Sequence, residues 1–182
     1  MFTLPNLFTL ARLVLTPFVV LAILNAKYGQ AIILCFLAGI SDVVDGFLAR
    51  RLGESTRVGA YFDPVADKIL LSAIYIALGA VRAIPWWMVG LVFARDILIL
   101  AMAAYGLLFT SVRKFPPSVW GKISTFLQIG AALVVMGARD GIAAPVDLAL
   151  WLMVGGTIWS GIHYTWRGIE ILKNAARAGL LK

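Results

Sequence analysis

Apolar stretches of about 20 residues recur from one end of this chain to the other, and nothing else in it restricts the fold so strongly. Coiled as an α-helix at ~1.5 Å per residue, such a stretch spans the ~30 Å hydrocarbon core of a bilayer. Of 182 residues, 62% are hydrophobic and only 14% charged. Soluble domains carry roughly 45–50% apolar residues and about 25% charge, so an ordinary water-soluble domain is excluded. The runs are continuous and do not alternate, which argues against a β-barrel. The expected architecture is an all-α integral membrane protein with six transmembrane helices, forming a single domain over residues 1–182.

Local signals place the helices. Pro5 and Asn6 suit a helix start, followed by an apolar segment from Leu7 to Leu24 that contains Arg12 and Pro17. This segment lacks a charged leading region and a small-residue cleavage site, so it reads as retained. Further helices are predicted from about Ala31 to Arg51, Asp63 to Val81, Trp86 to Thr110, Gly121 to Met136 and Val146 to Ile171. Asp63-Pro64 looks like an acidic cap before a proline in the first turn. Trp86 and Trp87 read as an interfacial anchor. Cys35 is the one cysteine, so an intrachain disulfide is excluded.

Charge sets the topology. The connections after the first, third and fifth helices hold Lys27, Arg82 and Arg139, whereas the opposite side gathers Arg50, Arg51, Arg57, Arg113, Lys114, Lys122, Arg167, Lys173, Arg177 and Lys182. That bias of ten to three places both termini on the cytoplasmic side. The net charge of +7 suits anionic lipid headgroups or phosphate-bearing substrates, and nucleic acid is not an expected partner of so apolar a chain.

Five of the nine acidic residues fall between Asp42 and Asp67, four of them aspartates, at the same cytoplasmic side. Asp42 and Asp45 are three apart, and Asp63 and Asp67 four apart, so each pair shares a helix face. Four carboxylates on two neighbouring helices repel one another unless cations are held between them, and hard oxygen donors favour Mg²⁺, Mn²⁺ or Ca²⁺. Gly46, Ala49 and Gly59 leave room for a ligand near the backbone one turn from an acid, and Arg50 supplies a charge for phosphate. Carboxylates, small residues and arginine in this combination point to phosphoryl-group transfer.

The spacing D-x2-D-G-x2-A-R-x8-G-x3-D-x3-D, carried by Asp42, Asp45, Gly46, Ala49, Arg50, Gly59, Asp63 and Asp67, resembles the signature of the CDP-alcohol phosphotransferase family of membrane enzymes. The resemblance implies transfer of a phosphatidyl group from CDP-diacylglycerol to an alcohol, with release of CMP. It implies that the four aspartates hold two divalent ions, Mg²⁺ or Mn²⁺, in a polar cavity at the cytoplasmic side. Asp67 is then also the general base, Gly46, Ala49 and Gly59 admit the cytidine and its ribose, and Arg50 steadies the phosphates. It further implies a homodimer in a bacterial inner membrane, with the diacyl tails of the substrate left among the membrane lipids.

The acceptor is less constrained. Pro5-Asn6-x2-Thr9-x2-Arg12-x4-Pro17 and Gly121-Lys122-x2-Thr125-x2-Gln128 are similar to phosphatidylglycerophosphate synthases, which use glycerol 3-phosphate. Many of those carry Arg-Glu in the fourth helix, where this chain has Arg95-Asp96. Cardiolipin synthases, which use phosphatidylglycerol, share similar features, and an inositol phosphate acceptor also stands. Arg95, Arg113, Lys122 and Arg167 are candidates for binding the acceptor's phosphate.

Several residues have two readings. Arg12 either snorkels to the interface or turns toward the acids. Arg95-Asp96 is either functional or a self-neutralising packing pair, and Lys122 either binds phosphate near a helix start or anchors the positive side. His163 reads as an interfacial polar residue. From another class, a small ion transporter would use embedded acids as a relay, but it calls for acids spread along a path and duplicated halves. A structural scaffold gives no reason for four clustered carboxylates.

Overall fold

In a computed structural model, the backbone is described for residues 4–52, 59–109 and 119–177, and side chains for residues 12–41, 68–102, 119–170 and 173. These residues form six α-helices and, among them, no strand: α1 (Leu4–Leu24), α2 (Tyr28–Leu52), α3 (Gly59–Ala80), α4 (Trp86–Phe109), α5 (Val119–Arg139) and α6 (Val146–Arg177). Among the described residues α5 is by itself long and apolar enough to cross a membrane, and shorter apolar segments run over Arg12–Leu24, Tyr28–Ser41 and Lys68–Ala80.

Helices α2, α3 and α5 start two to four residues earlier than the sequence signals suggest, and α6 runs six residues further. α3 begins at Gly59, one turn before the predicted cap, so Asp63 lies inside the helix and does not cap it. Pro64 is the sixth residue of α3 and lacks the amide that would bond the Ala60 carbonyl, so it stands past the first turn where proline is best tolerated. With both residues in helical register, the four-residue spacing of Asp63 and Asp67 places them on one face.

Two compact units are present, one of residues 1–85 and 132–144, the other of residues 86–131 and 145–182. In the first, α1 packs against both α2 and α3. Its core holds Val19, Ile23, Ala31, Tyr75 and Leu78, each fully buried. Arg12 is also buried, at 3% exposure, and has a partner. Snorkelling is therefore overturned, because a snorkelling guanidinium keeps its head in the aqueous interface.

The connections after α1, α3 and α5 meet at one end of this unit. Arg139 Nη2 donates to the Arg82 carbonyl at 3.1 Å, and the next residue, Asp140, accepts from the Gly29 amide at 3.1 Å. Asp140 thus serves one of the orphan amides in the first turn of α2 from a distant part of the chain. A Cβ on Gly29 would lie 2.8 Å from Asp140 Oδ2. Gly29→Ala and Asp140→Ala are each expected to lower stability by about 1 kcal/mol, the usual scale for losing a helix cap, read as an earlier thermal transition in detergent.

In the second unit α4 packs on α6. α6 presents Gly156, Ser160, Tyr164 and Gly168 at four-residue intervals, on one face of the helix. Each meets a neighbour: Gly156 meets Leu127, Ser160 meets Arg95, Tyr164 meets Gly121, and Gly168 meets Met102. Large apolar side chains point outward instead, among them Ile97, Phe126, Trp151, Trp159 and Trp166, while Arg95, Ser124, Gln128, Thr157 and Ser160 are buried. Buried polar groups beside Met88, Val92, Met153 and Val154, under an outer surface of large apolar side chains, depart from the pattern of a water-soluble domain.

Candidate active site

The acidic motif occupies two helix ends that share a neighbour. Asp42, Asp45, Gly46, Ala49 and Arg50 lie in the last three turns of α2, and Gly59, Asp63 and Asp67 in the first three turns of α3. Both helices pack on α1. The side chains of all eight residues are outside the described set, as is Arg113 altogether.

The described polar chemistry centres on Arg95, halfway along α4 and 8% exposed. Its Nη1 donates to Asp96 Oδ1 at 2.6 Å. Its Nη2 donates to Ser160 Oγ at 3.1 Å and to the Gly121 carbonyl at 3.3 Å. The Tyr164 ring lies 6.0 Å from the guanidinium carbon, at the outer reach of a cation–π contact. Arg95 Nε is buried and has no hydrogen-bond partner among the described residues, and the same holds for Ser124 Oγ, one turn from Gly121. The ion pair with Asp96 is therefore one part of a wider network joining α4, α5 and α6, and self-neutralisation alone does not describe it.

Other predicted residues lie nearby. Lys122 is exposed and directly follows Gly121, and half-buried Arg167 is three residues beyond Tyr164 on α6. Both sit within a helical turn of a residue that Arg95 touches. Thr125 donates to the Gly121 carbonyl at 3.1 Å, and Gln128 donates to Thr157 Oγ1 at 3.2 Å. These two members of the Lys-x2-Thr-x2-Gln pattern therefore shape α5 and join it to α6.

Ser160 and Tyr164 were not singled out from the sequence. Their signal is the four-residue spacing of small and polar residues on an otherwise apolar helix, the pattern by which membrane helices approach closely. Gly121 carries the reciprocal requirement, since a Cβ there would sit 2.6 Å from Tyr164 Oη. Gly121→Ala is expected to cost about 1–3 kcal/mol through overpacking, measured as thermal stability. Tyr164→Phe in the same chain should recover part of that loss by removing the nearest atom.

Comparison with known proteins bears on the family. The profile of the CDP-alcohol phosphatidyltransferase family matches residues 2–160. The chain is 34% identical to the CDP-diacylglycerol–glycerol-3-phosphate 3-phosphatidyltransferase of Escherichia coli K12, covering 99% of this chain and 98% of that protein. The protein of the same name from Shigella flexneri is equally similar. A relative from Mycobacterium tuberculosis, named as a cardiolipin synthase, is 32% identical over 90% of this chain and 78% of its own length. With a family match across most of the chain and end-to-end similarity to enzymes of this kind, the protein belongs to the CDP-alcohol phosphatidyltransferase family.

Proposed function

We propose that the protein transfers the phosphatidyl group of CDP-diacylglycerol to the hydroxyl of glycerol 3-phosphate and releases CMP. The observation that carries this reading is the 34% identity, end to end, with a protein named for that reaction. The cardiolipin synthase reading, with phosphatidylglycerol as acceptor, is the second, supported by the mycobacterial relative.

The proposal extends to the setting. Buried Arg12 and Arg95 beneath an outward layer of isoleucine, leucine, phenylalanine and tryptophan suit six membrane spans. The meeting of the connections after α1, α3 and α5 suits helices that alternate in direction, with both termini and the acidic motif on the cytoplasmic side of a bacterial inner membrane. Outward apolar residues on α3, including Ile69 and Ile76, and separately on α4, including Ile97 and Leu100, are candidates for homodimer contacts.

Asp42, Asp45, Asp63 and Asp67 fit two divalent ions by the chemistry of the donor set, since carboxylates are the hard ligands that Mg²⁺ and Mn²⁺ prefer. When bound, such ions supply charge neutralisation at the pyrophosphate. The chain's own residues do the rest. Asp67 takes the proton of the acceptor hydroxyl as its oxygen bonds to the lipid-side phosphorus, and the bond from that phosphorus to CMP breaks. Gly46, Ala49 and Gly59 admit the cytidine and ribose, and Arg50 steadies the phosphates. Arg95, Arg113, Lys122 and Arg167 bind the acceptor's phosphate.

The test is CMP release by purified protein given CDP-diacylglycerol, Mg²⁺ or Mn²⁺, and one acceptor at a time. Release with glycerol 3-phosphate alone is the expected result. Release with phosphatidylglycerol alone would favour the second reading, and release with inositol phosphate alone would displace both.

A further inference from the structure

We propose that Ser160 is a positioning residue for acceptor binding: it fixes the Arg95 guanidinium so that its Nε–H edge is left to meet an oxygen of the acceptor's phosphate. The inference rests on the reading of Arg95 as a ligand for that phosphate. A guanidinium is a rigid plane, so holding its two terminal nitrogens fixes the direction of the third donor. Asp96 holds Nη1 at 2.6 Å, and Ser160 Oγ and the Gly121 carbonyl hold Nη2 at 3.1 and 3.3 Å. Arg95 is 8% exposed, yet its Nε has no hydrogen-bond partner among the described residues. A buried charged donor left unpaired is costly, and a phosphate oxygen is the acceptor that best matches it.

Of the three anchors, Ser160 is the informative one. Gly121 contributes a backbone oxygen that substitution does not remove. Loss of Asp96 alters the local charge as well as the geometry. Ser160 is neutral and fully buried, so its hydroxyl bears on the orientation of Arg95 without changing any charge. It also belongs to α6 while Arg95 belongs to α4, so the bond sets the guanidinium from across a helix–helix contact.

The experiment uses the full chain purified in detergent, with Ser160→Ala, Ser160→Val, Ser160→Thr and Arg95→Lys. Initial rates are measured against the acceptor and, separately, against CDP-diacylglycerol. One arm uses glycerol 3-phosphate and the other phosphatidylglycerol, to separate a free phosphate monoester from a lipid headgroup. Ser160→Ala and Ser160→Val are expected to raise KM for the productive acceptor about tenfold, the scale of one charge-assisted hydrogen bond. KM for CDP-diacylglycerol should stay within about twofold, as expected for an interaction confined to one substrate. Threonine matches valine in shape but keeps the hydroxyl, so Ser160→Thr should remain near the unmodified protein.

Equal behaviour of the threonine and valine variants would overturn the proposal, as would a rise in both KM values together. If the valine variant does not fold, alanine against threonine decides on the same readout. An unchanged acceptor KM in Arg95→Lys would instead remove the reading of Arg95 itself. A raised value there, with Ser160→Val unaffected, would sink the role of Ser160 alone.

Discussion

Asp67→Asn is expected to reduce turnover by about 10²–10⁴-fold, the range for loss of a positioned general base, while the protein stays folded and still binds CDP-diacylglycerol. Asparagine keeps the shape and one oxygen of the side chain but cannot accept the acceptor's proton. The defect should persist at high Mg²⁺ concentration. Asp42→Asn offers the contrast, because a residue that only holds an ion should regain activity as the ion is raised. Activity close to normal in Asp67→Asn would remove this residue as the base. Recovery with added Mg²⁺ would reduce it to an ion ligand.

Removal of divalent ions is expected to stop CMP release, and Mg²⁺ or Mn²⁺ should restore it. A second consequence is independent of turnover. If the four aspartates at the end of α2 and the start of α3 share a site, as proposed, they repel one another when no cation is present, so the ions should also raise the thermal transition without substrate. An ion at 100 times its Kd would stabilise the folded state by about 2.7 kcal/mol. The shift should shrink in Asp42→Asn and in Asp63→Asn. Turnover that survives chelation, or a transition that ignores the ions, would contradict the proposed role of the aspartates.

The helical architecture was legible because residues with a strong local preference interrupt the apolar runs after α1, α3 and α5. The connections fall at Asn25 to Lys27, Val81 to Pro85 and Asp140 to Pro145, the first shorter than the turn over Asn25 to Gln30 that the sequence suggests, and α4 and α6 begin at Trp86 and Val146 as expected. The start of α3 was misplaced because Asp63-Pro64 is a sound local cap signal, whereas Gly59 to Phe62 carry no clear start or stop signal and are nonetheless helical. Membership of the family was legible in eight residues, since spacing alone carries a motif that lies on two successive helices.

What the sequence did not reveal lies between elements far apart in the chain. Nothing local to Asp140 marks it as the partner of Gly29, and nothing local to Ser160 marks it as the partner of Arg95. Both depend on which helices pack together, and periodicity in one helix does not say which helix it meets. The burial of Arg12 was likewise unreadable, because an arginine near a helix start suits both a snorkelling and a buried conformation.

The most direct measurement follows the lipid-side phosphorus. CDP-diacylglycerol labelled at that atom is incubated with the protein, Mg²⁺ and glycerol 3-phosphate, and the label is traced into lipid and water-soluble products. The account predicts that the label passes into a new phosphodiester lipid, with one unlabelled CMP released per transfer and nothing released when the acceptor is omitted. Label recovered in phosphatidic acid, with the acceptor bearing the cytidylyl group, would mean attack at the other phosphorus and would contradict phosphatidyl transfer.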